Sequence, residues 1–421
     1  MRKILLLIFL IAGFLAFGQV PAIQTEVDTV STIAEKKEHP LSTGYYPVGF
    51  FDVDLKTLFK LDHYQGVRLG IGGLTNDKLF ERYKFGGYYG YGFKDDGIKF
   101  GLEANARIDK EKKTWIKVSY SEDVREVGSF AFLTDARVYS LFEPRGVNIT
   151  QFYKYRDVYA SISSELSPKL LSEFRISRSH INNIEDYYFN NDNQLYDRYK
   201  LSEASVSIRF SPKTNFFTNE DGTKEYFDGF PKISAQITQG FKGVADSDFS
   251  YTKFGLKLDY FIKRRNLTST NFLLEGLFAV GDVPLTHLFH SYPNQPNEDN
   301  WTGRFSVAGV QSFETMFFGE FYSDKMAMLQ IKHSLRRFKL TEKWKPELVL
   351  ITRHGMGNMK NTDRHYGIAF STLDHLYNEA GLELNKILFG FGLSFAYRYG
   401  HYHLPAIEDN IAFKFTFNLK I

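Results

Sequence analysis

The residues with the greatest potential for chemistry lie in one long predicted loop, residues 284–321. It holds His287, His290, Ser291 and Asp299, which are the residue types of a nucleophile, a base and an orienting acid. A serine nucleophile commonly sits in a G-x-S-x-G elbow, and the chain has no such sequence. Ser, His and Asp residues often lie near one another in a loop of this length by chance. We therefore predict that the protein has no catalytic residues and is not an enzyme.

Candidate metal ligands are also sparse. His401 and His403 lie two residues apart on one face of an extended segment, where two imidazoles could bind a transition metal, but no third ligand is evident beside them. Asp95, Asp96 and the stretch 297–299 could touch divalent cations between lipopolysaccharide headgroups, although solvated loop acids are the simpler interpretation. The chain has no cysteine, which excludes thiolate sites and disulfides. We predict no metal and no cofactor.

The elements that would position such residues are strands, as the last ten residues, AFKFTFNLKI, illustrate. One face of this segment is apolar and the other is polar, because successive side chains of a strand point to opposite sides. We expect the apolar face to meet lipid and to serve as a recognition signal for the barrel-assembly machinery, with Asp at positions 417 and 421 blocking assembly. The residues of this signal are Phe413, Phe415, Phe417, Leu419 and Ile421.

The same alternation recurs along the chain and predicts sixteen strands. Most are ten to thirteen residues long, close to the roughly 9–11 residues of a tilted transmembrane strand. Lys, Asp and Arg within the strands require water on one side, which is typical of a barrel with an apolar outside. The predicted strands lie near 47–58, 66–75, 82–94, 97–108, 113–124, 151–163, 169–180, 200–211, 231–241, 252–263, 270–283, 322–335, 346–356, 376–387, 389–399 and 410–421.

The connections favour lipid over a soluble core. Links on one side are short, such as 109–112 and 264–269, whereas links on the other side are long, such as 125–150 and 284–321. Short periplasmic turns and long outer loops are typical of outer-membrane barrels, although 212–230 is a long link on the periplasmic side. The fold class predicted is all-β, a 16-stranded antiparallel transmembrane β-barrel.

The N-terminus predicts export. Arg2 and Lys3 precede an apolar run and a small-residue cleavage site, which indicates a signal peptide at 1–18. We expect residues 19–45 to be a flexible periplasmic lead-in and residues 46–421 to form the barrel in the outer membrane, in contact with lipid and lipopolysaccharide. A net charge of +3 gives no indication of a nucleic-acid partner.

Several blocks of sequence resemble an uncharacterised family of outer-membrane barrel proteins, whose longer members carry a carboxypeptidase-regulatory-like domain before the barrel. The blocks are GVRLGIGGLTN (66–76), FGGYYGYGFKDDGIKFG (85–101), LEGLFAVGDVPLTHLFHSYPNQ (274–295), SFETMFFGEFYSDKMAMLQIKH (312–333) and YNEAGLELNKI (377–387). That barrel in turn is similar to the surface-antigen, or assembly-insertase, superfamily. The resemblance implies sixteen strands and insertion or translocation of other polypeptides.

In that superfamily the loop between strands eleven and twelve folds into the lumen with a Val-Arg-Gly-Phe-type motif, whose Arg pairs with an acid on the wall. Val310, Gln311, Ser312 and Phe313 occupy the comparable place here. Gln311 cannot form a charge-assisted bidentate pair. About 27 polar residues precede the first strand, too few for a receiving domain, so we expect the barrel to act through its loops, lumen, wall and seam or with a separate periplasmic partner.

These observations lead to three hypotheses. The favoured one is a non-enzymatic role in envelope biogenesis or protein insertion and translocation, through a weak seam between 47–58 and the terminal strand. The alternative is a passive or gated channel for small solutes, and the third is a soluble β-protein of the periplasm.

Overall fold

A computed structural model describes residues 43–137, 145–184, 186–218, 224–296, 307–339, 341, 345–388 and 391–417. The predicted signal peptide, nearly all of the lead-in, and the residues Asp299, Leu419 and Ile421 lie outside the described residues. Within them the chain is dominated by one antiparallel sheet of eighteen strands, which confirms the all-β prediction. None of the described helices is long and apolar enough to cross a membrane.

The elements are numbered along the chain. The strands are β1 (Tyr45–Val48), β2 (Phe51–Asp54), β3 (Phe59–Asp62), β4 (Gly66–Thr75), β5 (Tyr83–Gly92), β6 (Gly97–Asp109), β7 (Thr114–Glu126), β8 (Phe152–Ser167), β9 (Leu170–Asn183), β10 (Tyr188–Asn191), β11 (Gln194–Tyr196), β12 (Arg198–Phe210), β13 (Thr214–Thr218), β14 (Lys224–Asp228), β15 (Lys232–Gly240), β16 (Tyr251–Lys263), β17 (Ser269–Gly281), β18 (Pro293–Gln295), β19 (Phe313–Phe317), β20 (Lys325–Ser334), β21 (Glu347–Asn358), β22 (His365–Tyr366), β23 (Tyr377–Leu388), β24 (Phe391–Gly400) and β25 (Ile411–Phe417). The helix α1 spans Leu55–Leu58, and 3₁₀ turns occur at Val244–Asp246, Leu285–His287, Thr362–Arg364 and Ile407–Asn410.

The long strands pair in chain order. The ladder runs β1, β2, β4, β5, β6, β7, β8, β9, β12, β15, β16, β17, β20, β21, β23, β24, β25, with β3 also paired to β4. Three smaller sheets branch from the connections: β10 lies between β11 and β22, β13 forms a hairpin with β14, and β18 pairs with β19 in parallel. The predicted link 212–230 therefore contains the β13–β14 hairpin.

The predicted strand at 47–58 is wrong, and the count rises from sixteen to eighteen because three short strands replace it. Gly49 turns the chain with a φ of 61°, a conformation that glycine adopts without steric cost. Asp54 then starts α1, since its carboxylate accepts a hydrogen bond from the Lys56 backbone N–H at 3.0 Å. Every other predicted strand has a counterpart in the sheet, with ends that differ by a few residues.

The two faces of the sheet differ in the way that the alternation predicts. In β25, Phe413 is 70% and Phe415 39% exposed, whereas Lys414 and Thr416 on the opposite face are each 4% exposed. The face that buries polar side chains is called the inner face below. Its buried charged residues include Arg68, Lys99, Lys253, Glu275, Arg353, Glu379, Glu383, Arg398 and Lys414.

A hydrophobic core lies where chain connections meet the inner face. Leu285, Phe289, Met316 and Tyr322 come from one connection, that between β17 and β20, and are fully buried there. Aromatic residues of other connections, such as Phe249, join the same cluster. The inner face is therefore covered by loops.

Candidate functional site: two loops against the inner face

Two connections lie along the inner face and bring together most of the buried charge. The first inner loop is residues 127–137, which follow β7. The second inner loop joins β17 to β20, and its described parts are residues 282–296 and 307–324.

The centre of the second inner loop is the carboxylate of Glu314, which is fully buried. It accepts hydrogen bonds from the Gly309 N–H at 3.0 Å, the Ser312 hydroxyl at 2.7 Å and the Asn294 amide at 2.6 Å. Lys414 of the terminal strand places its ammonium 3.2 Å from this carboxylate. Burial acts to raise the pKa of Glu314, but Lys414 and the Arg353 guanidinium, with these hydrogen bonds, hold it below its usual range.

The four motif residues directly precede Glu314 in the chain, and Ser312 contacts its carboxylate. Val310 is 75% exposed, and its carbonyl accepts a hydrogen bond from Gln330 at 3.1 Å. Gln311 is partly buried, Ser312 binds Glu314, and the Phe313 ring meets Tyr377 edge to face at 5.4 Å. The superfamily pattern, a basic residue in the loop and an acid on the wall, is thus reversed, because here the loop supplies the acid.

Sequence reasoning missed Glu314, although a signal was present. The residue is a lone acid within the aromatic run SFETMFF. A carboxylate in such a run must be paired when the run is buried. The identity of its partners, Arg353 and Lys414, lies far along the chain and has no local signature.

The inner face of the sheet beneath this loop, which is called the wall below, carries a row of alternating charges. The register places Arg353 of β21 beside Glu379 of β23, and Glu379 beside Arg398 of β24. Arg353 donates to Glu379 at 2.5 Å, and the backbone and hydroxyl of Thr315 donate to the other oxygen of Glu379. Arg398 donates twice to Glu320, at 2.7 and 3.1 Å. Loop and wall are therefore joined by buried ion pairs at two places.

The second inner loop also reaches the backbone of the terminal strand. Val307 forms a parallel bridge with Phe415, and the Ala308 N–H donates to the Phe415 carbonyl at 2.7 Å. The other edge of β25 pairs with β24. The pairing that we predicted between 47–58 and the terminal strand is not among the ladders of the described residues, and at Phe415 the loop takes that position.

The first inner loop extends along the inner face as well. Its backbone N–H at Leu133 donates to Gln236 at 2.8 Å, and Asp135 pairs with Lys257 at 2.5 Å. At its described end, Arg137 binds the Thr43 carbonyl, the Tyr45 hydroxyl and the Asp54 carboxylate. The sequence predicted only a long outer loop at 125–150, so this contact with the first strands was not foreseen.

Two cavities with charged side chains in their lining lie on the inner face beside the first inner loop. One of about 370 Å³ is lined by Arg125, Asp157, Glu203, Lys253 and His287, among others. Another, of about 400 Å³, adjoins α1 and is lined by Arg68, Tyr88 and Arg137, among others. Burial, with Lys253 nearby, lowers the pKa of His287 to about 3, so this imidazole is neutral.

The residues that suggested catalysis are engaged in packing. Ser291 is buried and donates to the Met326 sulfur at 2.9 Å. His290 lies 2.8 Å from Glu126 through one nitrogen and accepts from the Tyr292 N–H through the other. The structure describes no hydrogen bond between the Ser291 hydroxyl and a nitrogen of His290.

The two histidines near the C-terminus separate. His401 stacks on His375 with ring centroids 3.8 Å apart, whereas His403 packs against Tyr397. Within the part of the chain that the structure describes, no group of three or more His, Cys, Asp or Glu residues is arranged to hold a metal ion.

Comparison with known proteins gives one family. A model described as the C-terminal domain of a family of unknown function (DUF5686) matches residues 52–279. No curated protein sequence matches the chain.

The solved structures that align with this fold include the following three. BamA from Haemophilus ducreyi, lacking POTRA domains 1–3, aligns with a TM-score of 0.53 and 12% identity over 85% of this chain and 68% of that one. CdiB from Acinetobacter baumannii aligns with a TM-score of 0.40 and 10% identity, over 84% of this chain and 57% of that one. Wzi from Escherichia coli is a carbohydrate-binding β-barrel involved in group 1 capsule assembly. It aligns with a TM-score of 0.26 and 8% identity, over 80% of this chain and 75% of that one.

At these identities a likeness concerns the fold alone, and only the BamA superposition is close enough to support it. The chain has a β-barrel fold similar to that of BamA. This likeness agrees with the predicted barrel architecture and concerns the fold alone.

Proposed function

This chain belongs to the DUF5686 C-terminal domain family, and on that premise we propose that it is an integral outer-membrane β-barrel with a non-enzymatic role in envelope biogenesis. Its working part would be the edge of the last strand, which receives a segment of a client polypeptide. The sequence resemblance to assembly insertases and the BamA-like fold support this proposal.

The surface of the sheet supports a place in the membrane. Exposed apolar side chains alternate with buried polar ones in successive strands, for example Val206 and Ile208 against Ser205 and Ser207 in β12. An apolar face that extends over a large sheet is unfavourable in contact with water and favourable in contact with the hydrocarbon of a membrane. Lipid and lipopolysaccharide are then its immediate neighbours, and the barrel-assembly machinery would recognise the terminal strand at Phe413 and Phe415.

The single observation that carries the proposal is the hydrogen bond from Ala308 to the Phe415 carbonyl. A strand edge is a template for another chain, because its backbone groups need partners. Among the described residues, a short stretch of the second inner loop supplies a backbone partner for this edge at Phe415. A client strand could replace that stretch by ordinary strand addition.

A covalent lock tests this idea. The chain has no native cysteine, so the double variant V307C/F415C can be crosslinked with a short bis-maleimide, to which both thiols add, in cells that otherwise lack the protein. We expect the crosslinked form to fail to restore the outer-membrane protein profile, whereas the untreated form restores it.

The matched control is the double variant L393C/F415C, which joins β24 to β25 at paired residues. That lock leaves the loop mobile and should be harmless. Full restoration of the profile by the crosslinked V307C/F415C form would refute a role for edge exchange.

The second candidate function, a gated channel for small solutes, is favoured by the charged cavities that remain on the inner face. The ion pairs and hydrogen bonds of both inner loops would have to open before solutes could pass. We therefore rank it below edge exchange.

A further inference from the structure

The contact between the second inner loop and the terminal strand is electrostatic as well as backbone-mediated. Lys414 is 4% exposed. It donates to the Asn294 carbonyl and lies 3.2 Å from the Glu314 carboxylate. Both of these partners belong to the second inner loop, so the loop neutralises a charge that the terminal strand has buried.

The second cation at this place is only partly satisfied. Arg353 is 1% exposed and donates through Nε to Gln330 at 2.9 Å and through Nη1 to Glu379 at 2.5 Å. Its Nη2 is buried without a hydrogen-bond partner in the part of the chain that the structure describes, and it lies 3.8 Å from the Glu314 carboxylate. A guanidinium donor therefore points toward the carboxylate site and remains available for a closer acceptor.

Release of the loop would uncover this site. If Ala308 leaves Phe415 and both Glu314 and Asn294 move away with the loop, Lys414 loses both of the partners named above. An uncompensated buried cation is strongly unfavourable. An apolar or neutral client strand would leave that charge unpaired, whereas an acidic residue facing inward beside Lys414 would pair with it.

We propose that Lys414 and Arg353 form a carboxylate-binding site for the client, which Glu314 of the chain itself fills at rest. The client would be a β-strand that carries an inward-facing Asp or Glu next to the residue bonded to the Phe415 carbonyl. This inference rests on the proposed function, because the client reaches the site through the same strand edge. It adds a rule for which strands are accepted.

The test uses two synthetic alternating peptides that are identical except for one inward-facing residue, Glu in one and Gln in the other. Each carries a photo-crosslinking amino acid, and capture on residues 411–417 of the full-length protein in detergent is measured by mass spectrometry. In the E314Q variant the internal carboxylate is removed, so we expect the Glu peptide to be captured about tenfold better than the Gln peptide.

Three further substitutions define the site. Added to E314Q, K414Q should abolish the preference for Glu while the Gln peptide is still captured. Added to E314Q, K386Q is the matched control, because it removes a lysine paired with Glu347 elsewhere in the sheet and should keep the preference. S312A, which removes a single hydrogen bond to Glu314, loosens the loop more gently and serves if E314Q does not show heat-modifiable migration as a folded barrel.

The outcomes separate the two proposals. Equal capture of both peptides by the folded loop variants would overturn the carboxylate site and leave edge exchange standing. No capture of either peptide by folded E314Q and S312A would overturn both. Preference for Glu that survives in E314Q/K414Q would place the recognition elsewhere and also overturn the site.

Discussion

Single buried side chains anchor the inner loops to the sheet, and Arg398 is one of them. Its guanidinium is almost fully buried, donates twice to Glu320 of the second inner loop, and lies 4.8 Å from the centre of the Tyr377 ring. A charge held in this way is stabilised only while its partner stays. The loop and the wall are therefore energetically coupled through this pair.

Replacing Arg398 with Met should destabilise the folded protein by about 3 kcal/mol, because Glu320 is left without its main counter-charge. The measurement is urea unfolding in detergent, followed by tryptophan fluorescence. The double variant E320Q/R398M should lose less than the single variant does. If the loss in the double variant equals the sum of the losses in E320Q and R398M, the two residues are not coupled.

Gly255 shows how the absence of a side chain admits a loop. A Cβ atom at this position of β16 would lie 2.7 Å from the Phe130 ring of the first inner loop. The aromatic ring can rest on the sheet only because that space is empty.

Replacing Gly255 with Val should therefore cost about 1–3 kcal/mol through overpacking and should increase proteolysis within residues 127–137. Gly276 of the adjacent strand is the matched control, since nothing lies within 4 Å of a Cβ placed there. If G255V and G276V behave alike in unfolding and proteolysis, the close packing of Phe130 is not significant.

At the scale of elements, the small sheet of β10, β11 and β22 depends on a neutral histidine. The His365 ring stacks on Phe189 with centroids 5.4 Å apart, and its Nδ1 lies 2.8 Å from the Tyr187 hydroxyl. Burial, aided by Arg364, lowers the pKa of His365 from 6.5 to about 3. When this region opens, the histidine binds a proton more readily than when it is closed.

The stability of this sheet should therefore fall as the pH decreases from about 6.5 toward 3, because the open form takes up the proton. Hydrogen exchange of the amides in 188–196 is expected to speed up between pH 7 and pH 4, after correction for the intrinsic rate. The H365F variant keeps an aromatic ring and should lose most of that dependence. A pH response as large in H365F as in the wild type would argue against His365 as its origin.

At the scale of the whole molecule, the two inner loops lie along the inner face of the sheet and are attached to it at several points. The first inner loop is held by Lys257 in one part and by Arg137 in another, where it contacts the Tyr45 and Asp54 side chains. The second is held at Arg353 and Arg398. We propose that together they keep the interior closed to ions.

Deletion of residues 129–136, bridged by a short Gly-Ser linker, should raise single-channel conductance in planar bilayers at least several-fold over the intact protein, which we expect to be nearly silent. The R137A variant leaves the loop in place but removes its attachment to the first strands, so an intermediate increase is expected. Large conductance of the intact protein would instead favour the channel as its function.

Much of the fold follows from a local property of the sequence. Alternation with a period of two needs only neighbouring residues, so strands such as β4 and β16 and their apolar and polar faces could be predicted directly. The strand at 47–58 failed because a turn at Gly49 and a helix cap at Asp54 interrupt the pattern, and these are single-residue features within an otherwise apolar segment. The segment 310–313 was identified from its position in the chain and from its resemblance to the loop motif of the assembly-insertase superfamily.

The candidate site depended on the tertiary structure. The sequence by itself determined which side chains face apart along each strand, and so that a terminal strand would present Phe413 and Phe415 on one side and Lys414 on the other. Only the tertiary structure decided that Lys414 meets Glu314, that Arg137 meets Asp54, and that the loop rather than the first strands bonds to Phe415. These contacts join residues far apart in the chain, and they depend on strand register and loop path, which no local pattern of residue types specifies.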